Sequence, residues 1–341
     1  MASSPWGWRT NPRWLGARTF CAGSATSCRR SVEIIDAHVH LVTPRMVERT
    51  LQPHLPIRAP ALEAASRVRR RRLQELAGQT LEEIAAWWER QLDAHGVSAA
   101  FFIAVGEANE ELAEFCALNP RRFFGWGSLS DPLHPDAPRI VAHFPQWGLR
   151  GLKLYPPTQR FHASDRAVFP VYEKAAELGI PVLFHFGITV APLYDLTYAN
   201  PLNLSAAVKQ FPEVTFGIAH FGAGFLRETL MLAYHTDNVF VDTSGTNNWR
   251  EYTPGNPSLE SVFADALRAF GPGRVVFGTD TAVGPYRGQI LHEQLALLDR
   301  LGLSEEEKAL VMAGNARRLF RLDSPASETT WAAREPSGTG R

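Results

Sequence analysis

The stretch "EIIDAHVHL", Glu33 to Leu41, places two histidines two residues apart at the end of a β-branched run. On a strand, residues i and i+2 project to the same face, so His38 and His40 can grip one divalent ion together, at about 2.0–2.1 Å if it is zinc. Three more residues end apolar runs in the same way: His185 in "PVLFHFG", His220 in "TFGIAHFG" and Asp280 in "VFGTD". His185 would add a third nitrogen ligand, and Asp280 an oxygen ligand or a base. A catalytic metal needs few protein ligands and an open position for water, whose pKa it brings down towards about 7. Taken singly, each residue has a plainer explanation. A strand histidine such as His220 is as readily a satisfied core group, and Asp280 could cap a following helix. The joint pattern is what carries the chemistry. His54, His95, His134, His143, His162, His235 and His292 have no such placement.

Lys153, in "GLKLYPP", ends another apolar run. An unpaired ammonium in a dry pocket is costly unless it meets an anion. It could bind a substrate carboxylate, or be carboxylated and bridge a second metal; the plainer alternative is a lysine that snorkels to solvent. Arg160 and His162, in "PPTQRFHASD", follow it in a loop and are candidates for substrate contact on placement alone. Asp36, two residues before His38, is expected to share its face and to support the site rather than bind the metal.

Eight β-branched or aromatic runs can position these groups: "VEIIDAH", "SAAFFIAVG", "RFFGWGSL", "LRGLKLYP", "IPVLFHFG", "VTFGIAHFG", "NVFVDTSG" and "RVVFGTD". Helix-period segments separate them, the first being "TLEEIAAWWERQLDAHG" with Thr80 and Glu83 as a capping box. Gly179 and Gly302 stand where helix C-caps belong, and the segment after His134, broken by Pro135, Pro138 and Pro145, is the weakest helix. Eight strands with crossover helices predict an α/β fold, a closed (β/α)8 TIM barrel. An open doubly wound sheet is the alternative, but no G-x-G-x-x-G follows the first strand. In the barrel all C-terminal strand ends open on one mouth, so His38, His40, Lys153, His185, His220 and Asp280 converge.

The barrel domain is expected over residues 33–322, with an insertion at 42–78 after the first strand that could form part of a lid. The run Arg67, Arg69, Arg70, Arg71 and Arg72 within it reads as a solvated helix face in preference to an anion patch. Residues 1–32 hold five arginines and no acidic residue, and read as a disordered extension or a transit peptide; residues 323–341 read as a disordered tail. The expected location is the cytoplasm, or an organellar matrix if the head is a transit peptide. Of the 341 residues, 45% are hydrophobic and 21% charged, enough for a large core. Lys plus Arg and Asp plus Glu balance at 35 each, so no bulk field draws nucleic acid or an anionic membrane, and no run of about 18 apolar residues suggests a span. Cys21, Cys28 and Cys116 form no framework. The expected partner is a small-molecule substrate, with a homodimer as the expected assembly.

With these motifs in order, the chain resembles the amidohydrolase superfamily, in the branch that includes aminocarboxymuconate semialdehyde decarboxylase and metal-dependent TIM-barrel hydrolases. The resemblance runs from "IDAHVH" through "GLKLYPP", "PVLFHFG", "TFGIAHFG", "VFVDTSG" and "VFGTD" to "AGNARRLF". It implies one divalent metal, zinc foremost, on His38, His40, His185 and Asp280. It gives His220 the role of orienting water or polarising substrate, and Asp280 that of a proton shuttle. In binuclear relatives the fourth-strand lysine is carboxylated, and Lys153 is similar in placement, so a second metal stays open. The stretch "TAVGPYRGQ" after Asp280 departs from the "DYP" type of sequence common in relatives. The first functional expectation is a hydrolase attacking an amide, lactone or ester carbonyl of a small carboxylate-bearing substrate. The second is a non-oxidative decarboxylase, and the third a barrel without metal, against which the complete ligand set argues.

Overall fold

The computed structural model describes residues 32–46, 74, 76, 78–104, 108–188, 194–282 and 284–323. The head, most of the insertion with its arginine run, and the tail beyond Asp323 lie outside the described residues. Eight parallel strands follow one another around a single sheet: β1 Ile35–Leu41, β2 Ala99–Ala104, β3 Phe123–Ser128, β4 Leu149–Leu154, β5 Val182–Phe184, β6 Phe216–Ile218, β7 Val239–Asp242 and β8 Val275–Val276. Seven of them fall inside the runs read from the sequence, and β1 extends three residues beyond its run, which was read as ending at His38.

The ring closes through the residues around β8. Ala37 N donates to Phe277 O (2.9 Å), Asp280 N to His38 O (2.9 Å) and His40 N to Thr281 O (2.7 Å), so β1 and the end of β8 form a TIM barrel. β2 and β3 are buried at every residue, as strands covered on both faces must be. Their alternate side chains feed two layers. Phe101, Ile103, Trp126, Leu183, Phe240 and Val276 fill the barrel, while Phe102, Phe123, Leu152, Phe184 and Val241 belong to the larger core beneath the helices.

The helices are α1 Leu81–Ala94, α2 Asn109–Ala117, α3 Ala137–Ala142, α4 Phe169–Leu178, α5 Ser205–Gln210, α6 Leu226–Ala233, α7 Leu259–Phe270 and α8 Gly288–Arg300. The capping box forms: Thr80 Oγ1 accepts from Glu83 N, and the Glu83 carboxylate accepts from Thr80 N. Such caps contribute about 1 kcal/mol. α3, the segment with three prolines, is six residues long. Gly179 caps α4 in the left-handed conformation (φ 62°), and Gly302 takes it two residues past the end of α8, after the capping Leu301 (φ 75°).

After α8 come α9 Glu305–Ala309, one wider π turn and α10 Asn315–Leu319. This segment brings Phe320 into the barrel, its ring stacked on Phe101 at 3.7 Å and edge-on to Trp126 at 4.9 Å. Asn315 Nδ2 donates to Pro272 O and Val275 O at the start of β8, and Arg150, near the start of β4, donates to Phe320 O. The N-terminal ends of the strands are thereby plugged.

Candidate metal centre at the barrel mouth

The C-terminal strand ends bring the chemistry together. Donor atoms of His38, His220 and Asp280 all lie within 4.8 Å of one another. His40 Nε2 sits 3.2 Å from Asp280 Oδ1, His38 Nε2 sits 3.8 Å from the same oxygen, and His185 Nδ1 lies 3.1 Å from His220 Nε2. The five strand-end residues thus form one continuous group, with His220 in its tightest part.

Local backbone explains how they meet. Asp280 (φ 56°) and His220 (φ 59°) both adopt the left-handed conformation, which costs a non-glycine residue about 1–2 kcal/mol. Strain of that size clusters at sites that use it. Gly278 is required by close approach: a Cβ there would lie 2.9 Å from His38 Cβ and 3.1 Å from Ser244 Cβ. Gly187, after β5, faces the carbonyl of Gly222 where any side chain would collide.

Asp242, at the end of β7, anchors the histidines. Its Oδ2 lies 2.8 Å from His38 Nδ1, and its Oδ1 accepts from His220 N (2.9 Å) and Ser244 N (3.0 Å). Sequence reasoning left it unassigned inside "VFVDTSG", although its strand-end position was the signal that singled out Asp280. Ser244, Tyr286 and Arg287 were also missed. Their roles depend on loop shape. Arg287 reaches 3.7 Å from Asp280 Oδ2 out of the unusual stretch after it.

Asp36 differs from its expectation. The register shifts between Asp36 and Val39, which breaks the two-residue repeat, and Asp36 turns to the β8 loop instead of His38's partners. It accepts from Thr279 Oγ1 (2.6 Å), Tyr286 OH (2.9 Å), Thr279 N (3.1 Å) and His38 N (3.1 Å). Burial pushes its carboxyl up to about 6 against those four donors. Its support therefore reaches the site through the backbone.

Burial dominates the electrostatics. Desolvation drives His38 down to about 3 and His185 and His220 below their usual value, so their rings are neutral near pH 7 and offer lone pairs. Burial would raise Asp280, but the hydrogen bond from His40 and the nearby His220, His40 and His38 hold it well below the usual carboxylate range. Lys153 is fully buried and its Nζ has no hydrogen-bond partner among the described residues; it lies 5.0 Å from the centre of the Tyr155 ring. Desolvation lowers it to about 8, against the pull of Asp242 and Asp280. Arg160 and His162 are exposed on the loop after β4, Arg160 with its charge felt by Asp195 and His162 against the Tyr198 ring at 4.8 Å.

These residues fit a divalent cation. His38 Nε2 is buried with no hydrogen-bond partner among the described residues and lies towards Asp280, while its other nitrogen is committed to a carboxylate. That carboxylate–histidine arrangement is the one that orients metal-ligating imidazoles.

The amidohydrolase family model matches residues 35–322. This chain belongs to that family, whose fold is a metal-dependent one. A 2-keto-4-carboxy-3-hexenedioate hydratase of Sphingobium sp. (strain NBRC 103272 / SYK-6) is 26% identical over 252 residues, 63% of this chain and 71% of the relative. A 5-carboxyvanillate decarboxylase of Novosphingobium aromaticivorans, solved with manganese and 4-hydroxy-3-methoxy-5-nitrobenzoic acid, is similar in fold with a TM-score of 0.59 at 15% identity, covering 87% of this chain and 98% of that one. A putative 2-pyrone-4,6-dicarboxylic acid hydrolase of Pseudomonas putida gives 0.57 at 18% identity, covering 86% and 99%. Hydrolytic and decarboxylating names thus occur among proteins of this fold.

Proposed function

We propose that the chain is a metal-dependent hydrolase acting on the carbonyl of a small substrate that bears a carboxylate. Its ion, zinc foremost, would be held by His38, His40, His185 and Asp280, with His220 beside them. The observation that carries the reading is the group of donor atoms on His38, His220 and Asp280 within 4.8 Å of one another, one of them a buried nitrogen without a partner. A bound divalent ion supplies Lewis acidity and lowers the pKa of its water.

The chain's own groups do the rest. Asp242 commits the Nδ1 of His38 and leaves Nε2 to face the centre. Asp280, held ionised by its histidine neighbours, accepts the proton of the attacking water and returns it to the leaving group. His220, whose Nδ1 hydrogen is committed to the Ser244 carbonyl, orients the attacking water through the lone pair of its other nitrogen. Lys153 pairs with the substrate carboxylate, which relieves its unpaired burial. A carboxylated Lys153 bridging two metals is the alternative role, and the metal count per chain distinguishes the two.

A carboxy-lyase is the second reading, supported by the decarboxylase of like fold. Turnover of carboxylated lactones, esters and amides in ¹⁸O-labelled water is the test. Label in the product carboxylate is expected; release of carbon dioxide without label would overturn hydrolysis in favour of the lyase.

A further inference from the structure

Ser244 lies just beyond β7, fully buried, and its single hydroxyl touches three groups of the centre. Its Oγ is 2.5 Å from Asp242 Oδ1, 2.8 Å from His220 Nδ1 and 3.0 Å from His38 Nδ1. Counting protons resolves who donates. Asp242 Oδ1 already receives two backbone N–H groups, from His220 and Ser244, so it is an acceptor there and takes the Ser244 proton as well. The hydroxyl has one proton to give. Towards both histidines it can therefore offer lone pairs alone, and each Nδ1 must carry the hydrogen. Two further acceptors agree: Asp242 Oδ2 at 2.8 Å from His38 Nδ1, and the Ser244 carbonyl at 2.8 Å from His220 Nδ1.

We propose that Ser244 is a positioning residue that, with Asp242, locks His38 and His220 together in the Nδ1–H tautomer, so that both present an Nε2 lone pair to the centre. The inference deepens the metal-dependent reading and rests on it for its purpose, although the tautomers themselves are a property of the free chain. One hydroxyl shared by histidines from β1 and the end of β6 also couples their orientations, since neither ring can turn without breaking a bond to the same oxygen. Partners of this kind alter metal affinity by about 10–100-fold when removed.

The test is ¹⁵N-histidine NMR on the full metal-free chain, together with zinc and manganese titrations of wild type, Ser244→Ala and Ser244→Cys. In wild type, His38 and His220 are expected to show the hydrogen on Nδ1; finding it on Nε2 in either ring overturns the proposal, even if a variant fails to fold. Ser244→Ala removes the acceptor that the two rings share, and is expected to loosen both rings and weaken zinc binding about 10-fold or more. Ser244→Cys, which fills the volume but bonds weakly, should side with alanine. An alanine variant that keeps both tautomers and binds zinc within about twofold of wild type would also overturn it. Wild type with both Nδ1–H tautomers but no metal binding would support the lock while sinking the metal reading, so the two fail separately.

Discussion

The two ends of the barrel are built on opposite terms. At the strands' N-terminal ends the interior is aromatic and its polar groups are paired: Trp126 Nε1 donates to Ala37 O, Arg150 lies over Phe124 and donates to Phe320 O, and Asn315 Nδ2 finds two carbonyls. At the mouth, His38 Nε2, His185 Nε2 and Lys153 Nζ are buried without hydrogen-bond partners among the described residues, and His220, Phe221, Ala223 and Asp280 hold left-handed backbone. A folding core does not leave such groups unpaired. The difference teaches that the lower end holds the ring together while the mouth accepts instability in exchange for chemistry, so substitutions at the two ends should separate stability from activity.

The sharpest separation is expected at Asp280. Asparagine is nearly isosteric and is among the residues that best tolerate a positive φ, so Asp280→Asn removes the charge without breaking the backbone. Activity should fall about 10²–10⁴-fold, the range for loss of a general acid or base, while thermal unfolding falls only slightly, by the favourable contacts the ionised carboxylate makes with its histidine neighbours. Steady-state kinetics beside calorimetry would show it, and a variant that loses stability in proportion to activity would erase the contrast.

The opposite result is expected at the plug. Phe320→Ala empties a site bounded by Phe101 and Trp126 and should lower stability by about 3–5 kcal/mol. The fraction that remains folded should bind metal and turn over normally. Urea unfolding with activity normalised to folded protein measures both, and a large drop in normalised kcat would mean that the two ends are mechanically linked.

The same contrast explains what was legible in the sequence. Eight β-branched runs and the caps Thr80, Gly179 and Gly302 specify the barrel locally, because period and capping chemistry act over a few residues. Residues at strand ends were legible for the same reason, since parallel topology alone sends them to one mouth. Asp36 was misjudged because a bulge is a register event between two strands, invisible in the run "EIIDAHVHL". Asp242 ends β7 as Asp280 ends its own run, so its position was legible while its pairing with His38 was not. Ser244 and Arg287 were missed because their roles depend on how loops after β7 and β8 fold back over His38 and Asp280, a long-range property that no local period encodes.

Lys153 tests the contrast at its finest, against Arg150 on the same strand. Arg150 has a carbonyl and a ring for its charge, while Lys153 Nζ has no hydrogen-bond partner among the described residues. Burial holds the folded Lys153 at about 8, below its ordinary 10.5, so between those values the unfolded chain binds the proton more tightly than the native state does. Stability from this group therefore rises as pH climbs from about 8 to 10.5, and at pH 7 the native state carries the full penalty, on the order of 3 kcal/mol. Replacing it by methionine, similar in length and uncharged, should stabilise the metal-free protein at pH 7 by up to about that amount, with the gain fading above pH 8 and gone near 10.5. Substrate affinity should move the other way, KM rising as the carboxylate loses its cation. Denaturant unfolding of both proteins across pH 7–10.5 decides the matter. A Lys153→Met variant less stable than wild type at pH 7 would mean that the ammonium has a partner in the folded chain, and that the mouth is paired as fully as the plug.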